Sequence, residues 1–130
     1  MHWWLEPSAG EIVWCHFPDN LNQKAKARPA LVCQVIIDNH KRCFVTVAYG
    51  TSKKLGRLYK NEFLLSRESC LESFYLAGLS YDTKFELGNR VELPFNSDYF
   101  SVPPSAPFGQ NPKMGLLNPK LIEFLEKKYK

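Results

Sequence analysis

The chain lacks a pair of cysteines at C-x-x-C spacing, an apolar run long enough to cross a membrane, a basic segment followed by an apolar core near its start, and any internal repeat. Its four cysteines, Cys15, Cys33, Cys43 and Cys70, therefore carry no zinc or dithiol signature. Three of them fall inside strand-like runs, where small thiols pack as core residues. No metal and no cofactor is expected. The missing leader and spans point to a cytoplasmic protein with reduced thiols. Charge of one sign is not in great excess either. A net charge of +4 and a pI of 8.9 permit nucleic-acid binding without singling it out. What the chain does have is 130 residues, 45% hydrophobic and 14% aromatic, enough for one sizeable core and against disorder. A single domain spanning residues 1–130 is the expectation, with no linker inside it.

Three runs rich in β-branched and aromatic residues predict strands: Glu11 to Phe17, Ala30 to Ile37 and Cys43 to Tyr49. The short connection Asp38-Asn39-His40-Lys41 reads as a turn between the second and third. If the three run antiparallel, the end of the first, the start of the second and the end of the third meet at one edge. That edge would gather two basic stretches, Lys24-Ala25-Lys26-Ala27-Arg28 and Thr51-Ser52-Lys53-Lys54. Cations, adjacent hydroxyls and loop amides together suit a phosphodiester backbone.

Beyond Tyr49 a polar basic loop covers Gly50 to Lys60, and a short apolar run follows from Glu62 to Leu65. Ser69-Cys70-Leu71-Glu72 reads as a capping box opening a short helix that Gly78 would end. Thr83 to Leu87 and Arg90 to Phe95 flank Gly88-Asn89, a two-residue hairpin signal. From Asn96 to Asn118 the prolines and glycines predict a long loop, which must pack as a cover or move. A terminal helix over 119–129 is predicted from Asn118 as N-cap, Pro119 at the first position, an apolar face of Leu121, Ile122 and Leu125, and a Glu123 to Lys127 pair. The whole reads as α+β, mainly β.

The opening Gly10-Glu11-Ile12-Val13-Trp14, then Arg28-Pro29-Ala30-Leu31-Val32 after a polar loop, then Thr51-Ser52 after the third strand, resembles the PemK/MazF toxin family over about the first 55 residues. The resemblance implies a small curved antiparallel sheet related to SH3-like barrels, a homodimer, and a cognate antitoxin that blocks the groove. It also implies metal-independent cleavage of single-stranded mRNA, with a 2′,3′-cyclic phosphate and a 5′-hydroxyl as product ends. By the same resemblance Arg28 takes the catalytic arginine position and Thr51 the catalytic threonine or serine position, with Ser52 beside it.

The residues allow those roles. Arg28 presents a planar fork of donors that can hold two phosphate oxygens, and being a poor proton donor it suits charge stabilisation. Thr51 would orient the phosphate by a hydrogen bond. Lys24, Lys26, Lys53, Lys54 and Arg57 would track the RNA backbone, or else form a solvated loop with Lys60. Some family members carry Glu or His in the loop before Arg-Pro, where this chain has Asn22, Gln23 and Lys24. His16 is the candidate general base in their place; a hydrogen-bonded rim histidine in register with Ile12 and Trp14 is the plainer reading. Tyr99, Phe100 and Phe108 could stack on bases, but a loop this long needs aromatic anchors, so packing is favoured. Trp3 and Trp4 would form an interface or close one end of the barrel. Two other functions stay open: a non-catalytic module of the same fold that binds nucleic acid or a protein, and inhibition of a protein such as gyrase by contact alone.

Overall fold

The computed structural model describes residues 4–16, 27–58, 60–68 and 70–128. Six strands form one antiparallel sheet: β1 (Glu11–His16), β2 (Ala27–Ile37), β3 (Cys43–Thr51), β4 (Glu62–Leu65), β5 (Thr83–Pro94) and β6 (Lys113–Leu116). Their spatial order is β4-β5-β3-β2-β1-β6, curled into a half-barrel, and two helices complete the fold, α1 (Leu71–Leu76) and α2 (Pro119–Lys128). The protein is mainly β, as its strand-rich sequence indicates.

The sheet is covered on both sides, which is why β1 buries successive residues instead of alternating. On one face Ile12, Leu31, Ala48 and Phe85 pack with Phe74 of α1 and Leu125 of α2. On the other, Val13, Ala30, Val32, Val45 and Val47 pack with Leu93 and Phe100. Asp38 closes the β2–β3 turn. Its Oδ1 accepts from the His40 and Arg42 amides, both at 2.9 Å, and its Oδ2 accepts from Arg42 Nε at 2.7 Å. Those donors, the Arg42 amide above all, hold the carboxyl below its ordinary 3.8.

Three local expectations change. Gly88-Asn89 is not a hairpin turn: Thr83 to Pro94 is one long strand, and neither residue has the positive φ that a type I′ turn requires. Both halves of β5 pair with β3, as Gly50↔Phe85 and Ala48↔Arg90, so Glu86 to Asn89 form a bulge opposite Tyr49. The bulge bends β5 so that its first half also receives β4, with Glu62↔Glu86 and Leu65↔Thr83. Second, the segment expected as loop contains β6, which pairs with β1 as Glu11↔Leu116 and Ile12↔Gly115. Third, the N-cap of α1 is Cys70, with no side-chain cap bond; Ser69 lies outside the described residues.

Gly78 does end α1, at φ +73. In α2 the Asn118 side chain caps the Lys120 amide at 2.9 Å, and Glu123 and Lys127 pair at 3.5 Å on the exposed face. Tyr129 lies outside the described residues.

Candidate active site

β1 and β2 pair as Cys15↔Arg28 and His16↔Ala27, and β2 and β3 as Ala30↔Tyr49. Continuing that second ladder by two residues sets Arg28 across from Thr51. Proline at position 29 favours an extended backbone at Arg28 and so holds the start of β2 in line. The guanidinium lies over the Tyr49 ring, 5.9 Å from its centroid, close enough for a cation–π contact. Thr51 ends β3, and its Oγ1 accepts the Lys53 amide at 3.2 Å, opening the turn that carries Ser52, Lys53 and Lys54. The hydroxyl keeps its own proton to donate.

Two clefts meet at Thr51 and Lys53. The first, about 410 Å³, is lined by Arg28, Thr51, Ser52 and Lys53 together with Trp14, Tyr81, Pro103 and Pro104. The second, about 320 Å³, adds Tyr49, Lys54, Glu62, Lys84 and Glu86 to the shared pair. Thr51↔Lys84 and Glu62↔Glu86 are cross-strand partners, so β3, β5 and β4 each place polar side chains on this face.

The floor of the second cleft is charged and largely enclosed. Lys84 Nζ lies 3.1 Å from the Glu62 carboxylate, the side chains being 6% and 10% exposed, and it also donates to the Arg57 carbonyl at 3.1 Å. Glu86 accepts a hydrogen bond from the Tyr49 phenol. Burial raises the Tyr49 pKa first, and the Glu86 charge and hydrogen bond raise it further, against the Arg28 charge, which lowers it. Arg28, Tyr49 and Glu86 thus form a cation, ring and carboxylate in series. None of Tyr49, Glu62, Lys84 and Glu86 stands out in the sequence. The alternation Thr83-Lys84-Phe85-Glu86 does put Lys84 and Glu86 on one face, but a hairpin reading sends that face elsewhere.

The other candidate residues do not all join this site. The His16 ring Nε2 is 2.7 Å from Ser101 Oγ, and the ring is not among the groups lining either cleft. It is a half-buried rim histidine engaged with the segment after β5. Arg57 is exposed and lines neither cleft; it is the Arg57 carbonyl that enters the network. Lys24 and Lys26 lie outside the described residues, as does Trp3. Phe100 is fully buried, Tyr99 packs against the same core, and Phe108 is 48% exposed beneath Lys113. Trp4 packs at a tilt against Phe95, with ring centroids 5.5 Å apart. Among the described residues no three His, Cys, Asp or Glu side chains gather in a metal-binding group.

The profile of PemK-like, MazF-like toxins of type II toxin–antitoxin systems matches residues 8–75, just over half of the chain. The chain belongs to the PemK/MazF toxin family. Membership implies an antitoxin as partner. No curated protein matches the chain significantly. The matched stretch of this PemK/MazF toxin holds Arg28, Tyr49, Thr51 and Glu62, whereas Lys84 and Glu86 come from the part beyond it. No helix among its described residues is long and apolar enough to cross a membrane.

Proposed function

We propose that this PemK/MazF toxin is a metal-independent endoribonuclease that cleaves single-stranded mRNA. The observation that carries the reading is the placement of Thr51 where two clefts meet, with Arg28 lining the first cleft and a carboxylate lining the second. A phosphodiester laid across that junction meets the Arg28 fork at two oxygens and the Thr51 hydroxyl at a third point. The ribose 2′-hydroxyl then attacks its own phosphorus. Glu86, not His16, is the base for that proton, since it sits in the second cleft while His16 is bonded to Ser101 outside both. Arg28 stabilises the charge that develops on the phosphorane, and the 5′-oxygen departs with a proton from water as a 5′-hydroxyl, leaving a 2′,3′-cyclic phosphate. Lys53 and Lys54 hold neighbouring phosphates. Family membership supports the rest of the setting: a homodimer in the cytoplasm, with a cognate antitoxin covering the clefts.

The test is incubation of purified protein with a long unstructured RNA in EDTA, with mapping of fragment ends. Discrete cuts bearing 5′-hydroxyls are expected, and Arg28→Ala should slow them by at least about a hundredfold, the usual cost of losing a transition-state charge donor. Intact RNA at high protein concentration, with binding that weakens steeply in salt, would point to a binding module instead.

A further inference from the structure

Tyr81 is 74% exposed, yet the chain that carries it is tied on every side. The Thr83 hydroxyl donates to the Tyr81 carbonyl at 2.7 Å. Arg67 Nη2 donates to the Ser80 carbonyl at 2.8 Å, and Asp82 Oδ1 accepts the Arg67 amide at 2.9 Å. Arg67 is itself laid over the buried Phe74 ring, 5.1 Å from its centroid. A large ring held out into water on a fixed mount is a surface prepared for a flat ligand, because little loop entropy is left to lose on binding.

The Pro103–Pro104 segment that also lines the cleft is fixed as well. Pro103 is buried and Pro104 exposed; the Ala106 amide donates to the Pro103 carbonyl at 2.9 Å. Just before them the Ser101 amide donates to the Trp14 carbonyl at 3.2 Å, and Ser101 Oγ meets His16. The first cleft is open, mostly apolar in its lining and cationic at Arg28 and Lys53. A ligand matching it has a flat ring at one end and an anion at the other. A base-paired duplex offers no such ring, and an apolar peptide would leave the two cations unanswered.

We propose that Tyr81 is the stacking platform for one unpaired nucleobase of the RNA, the base next to the phosphate held by Arg28 and Thr51, in the cleft that Pro104 also lines. This rests on the ribonuclease reading and adds a base-binding residue to it. Stacking of this kind tolerates any base and sets affinity and register.

The probe is a single-stranded 2′-O-methyl oligonucleotide, which lacks the attacking hydroxyl, carrying 2-aminopurine at one position at a time. Its fluorescence should be quenched at one position on binding to the wild-type protein. Tyr81→Ala should abolish that quench and weaken binding at least about fivefold, while Tyr81→Trp keeps both. The salt dependence of binding should not change, since no phosphate contact is lost. Unchanged affinity and quench in Tyr81→Ala would overturn the assignment. So would a Tyr81→Ala protein that cuts RNA at the same sites with the same KM, and this result would leave the ribonuclease reading standing. A wild-type protein that neither binds nor cuts RNA would remove both. A defect confined to binding the antitoxin would give Tyr81 to the protein partner and overturn the stacking role.

Discussion

Lys84 and Glu62 are the least exposed ion pair among the described residues, and a buried pair is an asymmetric element of stability. Removing one charge strands the other, whereas removing both lets apolar side chains fill the space. Lys84→Met is therefore expected to destabilise the protein by about 3–5 kcal/mol, and the double variant Lys84→Met with Glu62→Leu to recover most of that loss. Urea denaturation of the four proteins in the cycle checks it; additive losses would show that the pair is not coupled. The same residues mark how far the site was legible. Arg28 and Thr51 could be brought together by counting three strands, because the β2–β3 turn is short and their ladder is local. Glu62, Lys84 and Glu86 could not, because a carboxylate enters this site only through the pairing of β5 with β3, more than 30 residues apart in sequence. The contact of His16 with Ser101, 85 residues away, was out of reach for a similar reason.

Among the elements, the end of α1 rests directly on β6, and glycine makes that possible. A Cβ on Gly115 would run into the Leu76 carbonyl, and one on Gly78 would run into the Met114 carbonyl. β6 was invisible in the sequence for the same physical reason. A four-residue strand containing a glycine, preceded by proline, has no β-branched pattern, and it forms because β1 offers an edge and α1 a floor. Gly78 and Gly109 allow a clean comparison, since their φ angles are +73 and +70 while Gly109 has no atom within 4 Å of an added Cβ. Gly109→Ala should cost only the left-handed strain, about 1 kcal/mol. Gly78→Ala should cost that and an overpacking penalty of roughly 1–3 kcal/mol more. Thermal and urea unfolding of both variants would measure the difference; equal losses would mean that the α1–β6 contact yields without resistance. Because Gly78 leads into the segment carrying Tyr81, the packing of an edge strand also fixes one wall of the first cleft.

At the scale of the whole molecule the net charge of +4 is modest, so the RNA affinity that the proposed function requires has to come from where the cations sit and not from how many there are. Arg28, Lys53 and Lys54 line the paired clefts, whose acids, Glu62 and Glu86, lie in the second and are engaged by Lys84 and Tyr49. A strand crossing both clefts would release counterions at each cation it meets. For a single strand each neutralised phosphate contributes about 0.7 to the slope of log affinity against log salt. Replacing Lys53 and Lys54 together by glutamine should then lower that slope by about 1.4, with little change in where RNA is cut, because phosphate contacts position the strand without reading bases. Anisotropy titrations of a non-cleavable oligonucleotide across a range of sodium chloride concentrations give the slope directly. An unchanged slope would show that the two lysines are solvated and that RNA leaves the clefts on another side. A changed cut pattern would show instead that the turn after β3 touches bases, and the reading groups would then belong to the second cleft as well as the first.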